Sequence, residues 1–354
     1  MLCVDAAALT ALWRLRHPAT LLPLLGALML GVCLPALAMG ADMFHGAALL
    51  ACGVFIHGGI IGVGATAMLW RRFRRLSVAA AVLSLLLGVV ALDAFVIEPQ
   101  WLEVSRVHLA SAKLRKPLKI VLVADLQTDQ IGAYERRVLG QVMHERPDLI
   151  LFAGDYVQVY DAKRYEALCG QLNDLLTELS FAAPLSVVAV AGNTDPAAED
   201  RPRWERIFEG LPVRCLNRTQ TIDLGPLKLT GLSMADSFDP ALRVEAVEGF
   251  HIVLGHAPDF ALGEIDADLM LAGHTHGGQV RLPLFGPPLT LSRVPRAWAA
   301  GVTRLDDQRT LIVSRGIGME RARAPRMRFL CRPQLVVVEL VPDGGNESRV
   351  TGNE

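Results

Sequence analysis

The sequence predicts an α/β domain carried behind an all-α membrane anchor, and three observations predict it. Short apolar runs of parallel-sheet type, LKIVLVAD, DLILFAG and LSVVAVAG, alternate with helical stretches at 134–145 and 162–179. The second half is richer in strands, expected at 219–224, 227–232, 251–255, 268–272, 279–282, 310–314 and 334–340. The first hundred residues hold three stretches almost free of charge, at 19–39, 47–70 and 76–96. Each has about the 20 residues a helix needs to cross a hydrocarbon core.

Hydrophobic residues make up 52% of the 354-residue chain, high for a soluble protein, and the excess sits in those stretches. The expected division is a three-helix transmembrane anchor at 1–97, a linker at 98–118, a globular domain at 119–341 and a disordered polar tail at 342–354. Arg14 and Arg16 precede the first span, and RRFRR at Arg71 to Arg75 lies between the second and third. By the positive-inside rule these mark the cytoplasmic side, so the globular domain of this multi-pass cell-membrane protein is expected outside the cytoplasm. Arg106, Lys113, Arg115 and Lys116 weaken that asymmetry, or touch anionic headgroups. A rival reading makes Ala36-Leu37-Ala38 a signal-peptidase site, which leaves the topology of the remainder unchanged.

Gly58 and Gly62 form a small-xxx-small spacing that lets helices approach closely. His57 beside them reads as a neutral histidine bonded to a neighbouring helix. Spans so poor in charge argue against a transporter. Net charge is −1 with no long basic run, so nucleic acid is not expected as a partner. Cys169, Cys215 and Cys331 are an odd set in the globular domain and read as three buried thiols ahead of a pair plus a leftover.

Five apolar runs each deliver polar side chains at their ends. VLVAD ends in Asp125 with Gln127 two positions on, LILFAGD in Asp155, VVAVAGN in Asn193, IVLGH in His256, and LMLAGHTH in His274 and His276. A lone Asp after a strand is most often a cap or turn residue. Two carboxylates, two carboxamides and three histidines in one register exceed what capping requires. Ligands of open α/β sheets bind outside the carboxyl ends of the strands, and residues two apart on an extended segment point the same way. A binuclear metal centre is the simplest reading.

The order Asp-x-Gln, Gly-Asp, Gly-Asn-x-Asp, Gly-His, Gly-His-Thr-His resembles the calcineurin-like metallophosphoesterase superfamily, and GHTHGGQVRLP resembles its membrane-associated bacterial branch. The match runs from about Lys119 to about Leu340, including SRGIG at Ser314 to Gly318 and the CRPQLVVVEL ending. The resemblance implies a four-layer αββα sandwich. It also implies that Asp125, Gln127 and His276 hold one divalent metal, Asn193, His256 and His274 the other, with Asp155 bridging. Asp155, Asn193, His274 and His276 are the expected catalytic set. Imidazole and oxygen donors suit Mn, Fe or Zn better than Ca. Two such cations about 3.5–4 Å apart bind phosphate oxygens and a bridging hydroxide that attacks phosphorus in line.

Two departures qualify the resemblance. Gln127 stands where a histidine is usual, and a carboxamide is the weaker ligand. Thr194 stands where the family places the histidine that assists the leaving group. General acid assistance is worth roughly 10²–10⁴-fold, so its loss disfavours alkyl monoesters and leaves diesters or pyrophosphates. The anchor favours a lipid-linked or envelope substrate. Asp195 orients that histidine in the family, or is an ordinary helix N-cap here; both readings stay open. Arg281, Arg315 and the arginines of 321–328 read as solvated surface ahead of phosphate contacts, and His17, His45, His108, His144 and His251 match no motif. The rival from another class is a non-catalytic metal-dependent scaffold, which the otherwise intact ligand positions disfavour.

Overall fold

The computed structural model describes residues 2–14, 42–195, 204–321 and 323–343. The chain forms two compact units, Met1–Ile97 with Arg323–Arg326 and Glu98–Ala322 with Met327–Glu354.

The first unit is helical. Helix α1 spans Leu2–Trp13. Helices α2 (Met43–Leu69) and α3 (Arg74–Gln100) are 27 residues each, long and apolar enough to cross a membrane. They coincide with the second and third expected spans; the first, 19–39, lies outside the described residues. Close approach occurs where the small residues predicted it, since a Cβ on Gly62 of α2 would fall 2.2 Å from Ser84 Oγ of α3. His57 on α2 meets Asp5 of α1 through Nδ1 and Oδ2 at 2.6 Å, which gives it the partner on another helix that its polarity demands.

The second unit contains two six-stranded sheets, their strands numbered in chain order. The first has the order β1 (Glu103–Ser111), β14 (Gln334–Pro342), β2 (Leu118–Val123), β3 (Leu149–Phe152), β4 (Ser186–Val190), β5 (Val213–Leu216). The second runs β12 (Gly301–Arg304), β13 (Thr310–Val313), β11 (Leu269–Ala272), β9 (His251–Leu254), β7 (Lys228–Gly231), β6 (Gln220–Asp223).

Alternation along the strands builds the layers. Val121, Val123, Ile150 and Phe152 pack with Val138, Leu139 and Val142 of α4 (Ala133–His144) and Leu168 and Leu172 of α5 (Ala162–Glu178). Their neighbours Ile120, Leu122, Leu149 and Leu151 face the other way, against Leu229, Ile252, Leu254 and Leu271 of the second sheet. With both faces covered, these strands are continuous apolar runs. Beyond the second sheet, Val253, Met270 and Leu311 pack with Phe260 and Ile265. That outer layer is thin: the one-turn α6 (Met234–Ser237), the 3₁₀ turn Pro258–Leu262, and a ribbon of β8 (Arg243–Val244) and β10 (Glu264–Ile265).

Three expectations are corrected. Residues 98–118, expected as a linker, contain β1, which pairs with β14 in parallel from Glu103↔Gln334 to Ser111↔Pro342. Residues 279–282, expected as a strand, form none: Gly277, Gly278 and Gln279 have φ of 61°, 86° and 59°, which no strand accommodates, and only the isolated bridges Val280↔Phe329 and Leu282↔Gly286 remain. Pro342, expected in the tail, ends β14.

Candidate metal centre

The expected ligands all stand just beyond strand ends of the two sheets. Asp125 follows β2, Asp155 follows β3, Asn193 follows β4, His256 follows β9, and His274 and His276 follow β11. Donor atoms of Asp125, Asp155 and His256 all lie within 4.8 Å of one another, and all three side chains are buried. His256 Nε2 is 3.6 Å from Asp155 Oδ1, and its Nδ1 is 3.9 Å from Asp125 Oδ1.

Five of the seven expected ligands sit in left-handed backbone conformations: Asp125 (φ 51°), Gln127 (36°), Asp155 (59°), His274 (69°) and His276 (50°). Each costs about 1–3 kcal/mol in a residue with a Cβ and persists only where its surroundings over-determine it. Those surroundings are visible. Asp125 N donates to Gly154 O at 3.1 Å, Gln127 N to Asp155 O at 2.8 Å, and Gly318 N to Asp125 O at 2.8 Å. Asp195 has a structural role at the site; the residues after it, on which the N-cap reading falls, lie outside the described residues. Its buried carboxylate accepts from Asp155 N (2.7 Å), Gly192 N (2.8 Å) and Tyr156 N (3.0 Å), clamping the Asp155 turn to the strand beside it. Gly192 is obligatory there, because a Cβ would lie 2.2 Å from Asp155 Oδ1.

The donor chemistry fits divalent cations. His256 Nδ1 donates to Ala153 O at 2.7 Å, so Nε2 keeps its lone pair, and Asn193 Oδ1 stands 2.8 Å from it. Two acceptors set against one another suit a shared cation. His276 Nε2 and Gln127 Oε1 are buried without a hydrogen-bond partner. Electrostatics agree. Burial, then the neighbouring Asp155 charge, pushes the Asp125 carboxyl far above its usual range and Asp195 up to about 8. Burial, then His256, holds His274 down to about 4, and burial with the Arg328 guanidinium holds His276 well below the ordinary imidazole value. Crowded buried carboxylates beside neutral imidazoles are the environment a cation relieves.

The two departures also have a place. Gln127 Nε2 donates to Asp155 Oδ2 at 2.8 Å and to Glu320 Oε2 at 3.1 Å. Glu320 also accepts from Gln158, and its carboxyl is raised by burial. Thr194 uses its backbone N–H, 2.8 Å from Asp155 Oδ1, while its hydroxyl is buried without a partner.

Sequence reasoning missed Glu320 and misjudged Arg328. Expected on the solvated surface, Arg328 is fully buried and donates to Gly318 O (2.8 Å), Cys331 O (2.9 Å) and Arg315 O (2.7 Å), with Nη2 3.4 Å from His276 Nδ1. It ties the SRGIG turn to the end of the GHTH run. Phe238, also missed, sets its ring edge-on to His274 at 4.9 Å. His251 is structural, as its odd spacing from His256 implied: its ring bonds Thr230 Oγ1 and Asp266 O.

Carboxylates, carboxamides and imidazoles gathered at the carboxyl ends of strands in two facing sheets are a donor set of the kind found in metal-dependent phosphoesterases. The family model for calcineurin-like phosphoesterases matches residues 118–278. Phosphodiesterase YaeI of Escherichia coli is 31% identical over 256 residues, covering 69% of this chain and 90% of the relative. The uncharacterized metallophosphoesterase YkuE of Bacillus subtilis is 28% identical over 63% of this chain and 78% of its own. UDP-2,3-diacylglucosamine pyrophosphatase LpxG of Chlamydia muridarum is 23% identical over 62% of this chain and 83% of its own. The chain belongs to the calcineurin-like phosphoesterase family.

Proposed function

We propose that the protein is a membrane-anchored phosphoesterase that hydrolyses phosphodiester or pyrophosphate bonds of a lipid-linked or envelope substrate, with its globular unit outside the cytoplasm. The observation that carries this reading is the buried cluster of Asp125, Asp155 and His256, with Asn193 Oδ1 2.8 Å from His256 Nε2 and Gln127 Nε2 hydrogen-bonded to Asp155. Asp125, Gln127 and His276 would hold one divalent metal and Asn193, His256 and His274 the other, with Asp155 shared. When bound, the metals polarise the phosphoryl oxygens and acidify the attacking water.

The chain's own residues do the rest. Asp195 holds the Asp155 backbone N–H, Thr194 N and Gln127 Nε2 donate to the two Asp155 oxygens, and Ala153 O fixes the His256 tautomer. Phe238 packs edge-on against the His274 ring and limits its movement. Thr194 has no proton to give near neutral pH, so departure of the leaving group is unassisted at that position. This supports diesters with stable leaving groups, or pyrophosphates whose leaving group is itself a phosphate. The names phosphodiesterase and UDP-2,3-diacylglucosamine pyrophosphatase among the relatives support the same two bond types.

The test is metal analysis of the purified full chain beside its rates on a chromogenic diester and the matching alkyl and aryl monoesters. Bound transition metal, with diester cleaved and rates falling steeply as the leaving group becomes more basic, is expected. Alkyl monoesters cleaved as fast as activated ones, with chemistry rate-limiting, would overturn the account of Thr194. Bound metal without hydrolysis of any of these esters would favour the scaffold reading, and absence of metal would overturn both.

A further inference from the structure

The segment 282–291 carries five exposed large apolar side chains, Leu282, Leu284, Phe285, Leu289 and Leu291, with Leu284 fully exposed and Phe285 63% exposed. Single exposed hydrophobics need no explanation, but five within ten residues form a patch of the kind that marks a binding surface. The segment is held in this form. Leu282 and Gly286 exchange backbone hydrogen bonds at 2.9 Å, and Leu284 (φ 66°) and Leu291 (φ 55°) adopt left-handed conformations. Strain of this kind in a leucine with no buried contact to reward it points to function.

The patch continues into a cleft of about 460 Å³ beside the metal centre. Phe238, Leu289 and Leu291 give it an apolar wall, and Arg293 and Arg296 line it with positive charge. Asp259, the acidic residue in the lining, is turned inward, its carboxylate accepting from Ser292 Oγ (2.9 Å) and Arg293 N (2.6 Å). The Arg296 guanidinium lies 5.4 Å from the Phe285 ring centroid, which joins the charged and apolar parts of the surface. The cleft is joined to the chemistry as well: Leu291 O is 3.1 Å from His274 Nε2, and the Phe238 ring packs on the same histidine. An apolar wall with cations at its rim, opening on a phosphate-cleaving site, complements an amphiphile with a phosphate head and a hydrocarbon tail.

We propose that this cleft and the adjoining patch form a subsite for the hydrocarbon chain of the substrate, whose phosphate lies at the metal centre. The proposal rests on the phosphoesterase reading but is tested separately from it. The full chain in nanodiscs is titrated calorimetrically with n-alkyl phosphates from butyl to octyl, each below its micellar concentration, while hydrolysis of a soluble chromogenic diester is followed in parallel. Burial of a methylene tightens binding by up to about fourfold, so Kd falls with chain length, by roughly threefold to fifteenfold per two methylenes. Leu289→Asp, in nanodiscs of the same composition and therefore with the same partitioning, flattens that slope. Leu289→Ala, which removes surface without adding charge, gives an intermediate one. A wild-type slope no steeper than that of Leu289→Asp overturns the subsite, whether or not diester is cleaved. A steep wild-type slope without hydrolysis leaves the subsite standing and overturns the phosphoesterase reading instead.

Discussion

Stripping metal from the full chain with a chelator is expected to make its stability fall with rising pH above about 7, and restoring metal to abolish that fall. In the folded, metal-free site, burial and the Asp155 charge raise Asp195 from an ordinary 3.8 to about 8. A folded-state value above the unfolded one means that the folded form keeps a proton the unfolded form has lost. Stability is then fully present below the unfolded value and is lost as pH rises toward the folded one, at about 1.4 kcal/mol per pH unit for each such carboxyl. The histidines act in the opposite sense. His274, held to about 4 mainly by burial, binds fewer protons folded than unfolded between that value and its ordinary 6.5, so stability rises with pH across that interval. His276 acts in the same direction. The two effects offset each other below about 6.5, and the carboxyl slope stands alone from about 7 to 8. At roughly 2–4 °C per kcal/mol for a domain of this size, Asp195 by itself lowers Tm by about 3–6 °C per pH unit. The assay is thermal unfolding of chelated and Mn-loaded protein in one detergent from pH 5 to 8.5. A chelated Tm that is flat or rising between pH 7 and 8, or an equal fall in the loaded protein, would refute the electrostatic account of the site.

Three further outcomes are expected. Asp155→Asn and His274→Ala each lower bound metal and abolish diester hydrolysis, and wild-type metal content with full activity in either would sink the binuclear assignment. Arg328→Met leaves the carbonyls of Gly318, Cys331 and Arg315 buried without their donor, at about 1–3 kcal/mol each before relaxation. Its denaturation midpoint should therefore drop by the equivalent of about 3–5 kcal/mol, and an unchanged midpoint would show that the guanidinium is dispensable. A reporter fused after Glu354 should be active only outside the cytoplasm, as RRFRR between α2 and α3 requires; cytoplasmic activity contradicts that orientation.

What was legible in the sequence depended on how local its cause is. The strands β2, β3, β4, β9 and β11 announced themselves because a strand buried on both faces must be a continuous apolar run, and the ligands stand where those runs stop. Strand β1 did not, because EVSRVHLAS at a sheet edge is neither a continuous apolar run nor a strict alternation of polar and apolar residues. Its partner β14 lies more than 200 residues away, and no local pattern records such a pairing. The strand expected at 279–282 failed because the two glycines that follow His276 turn the chain, with side chains of Arg315 and Pro287 filling the space a Cβ would need.

The same distinction governs the site. Gln127 is visible in the sequence as a departure, since one position after a strand holds a carboxamide. The carboxylate beside it is not visible, because Glu320 arrives 193 residues later in a turn without regular structure and is brought there by Gln127, Gln158 and the backbone contact of its own N–H with Gln279 Oε1 at 2.8 Å. Arg328 was misread for the related reason that a cation in a loop is usually solvated. Here the loop carbonyls take the place of water, and the buried charge lies close enough to Asp125 and His276 to pull both toward lower pKa. Ligands at strand ends follow from the fold, whereas the groups that set their charge and orientation come from turns, whose course only the folded chain determines.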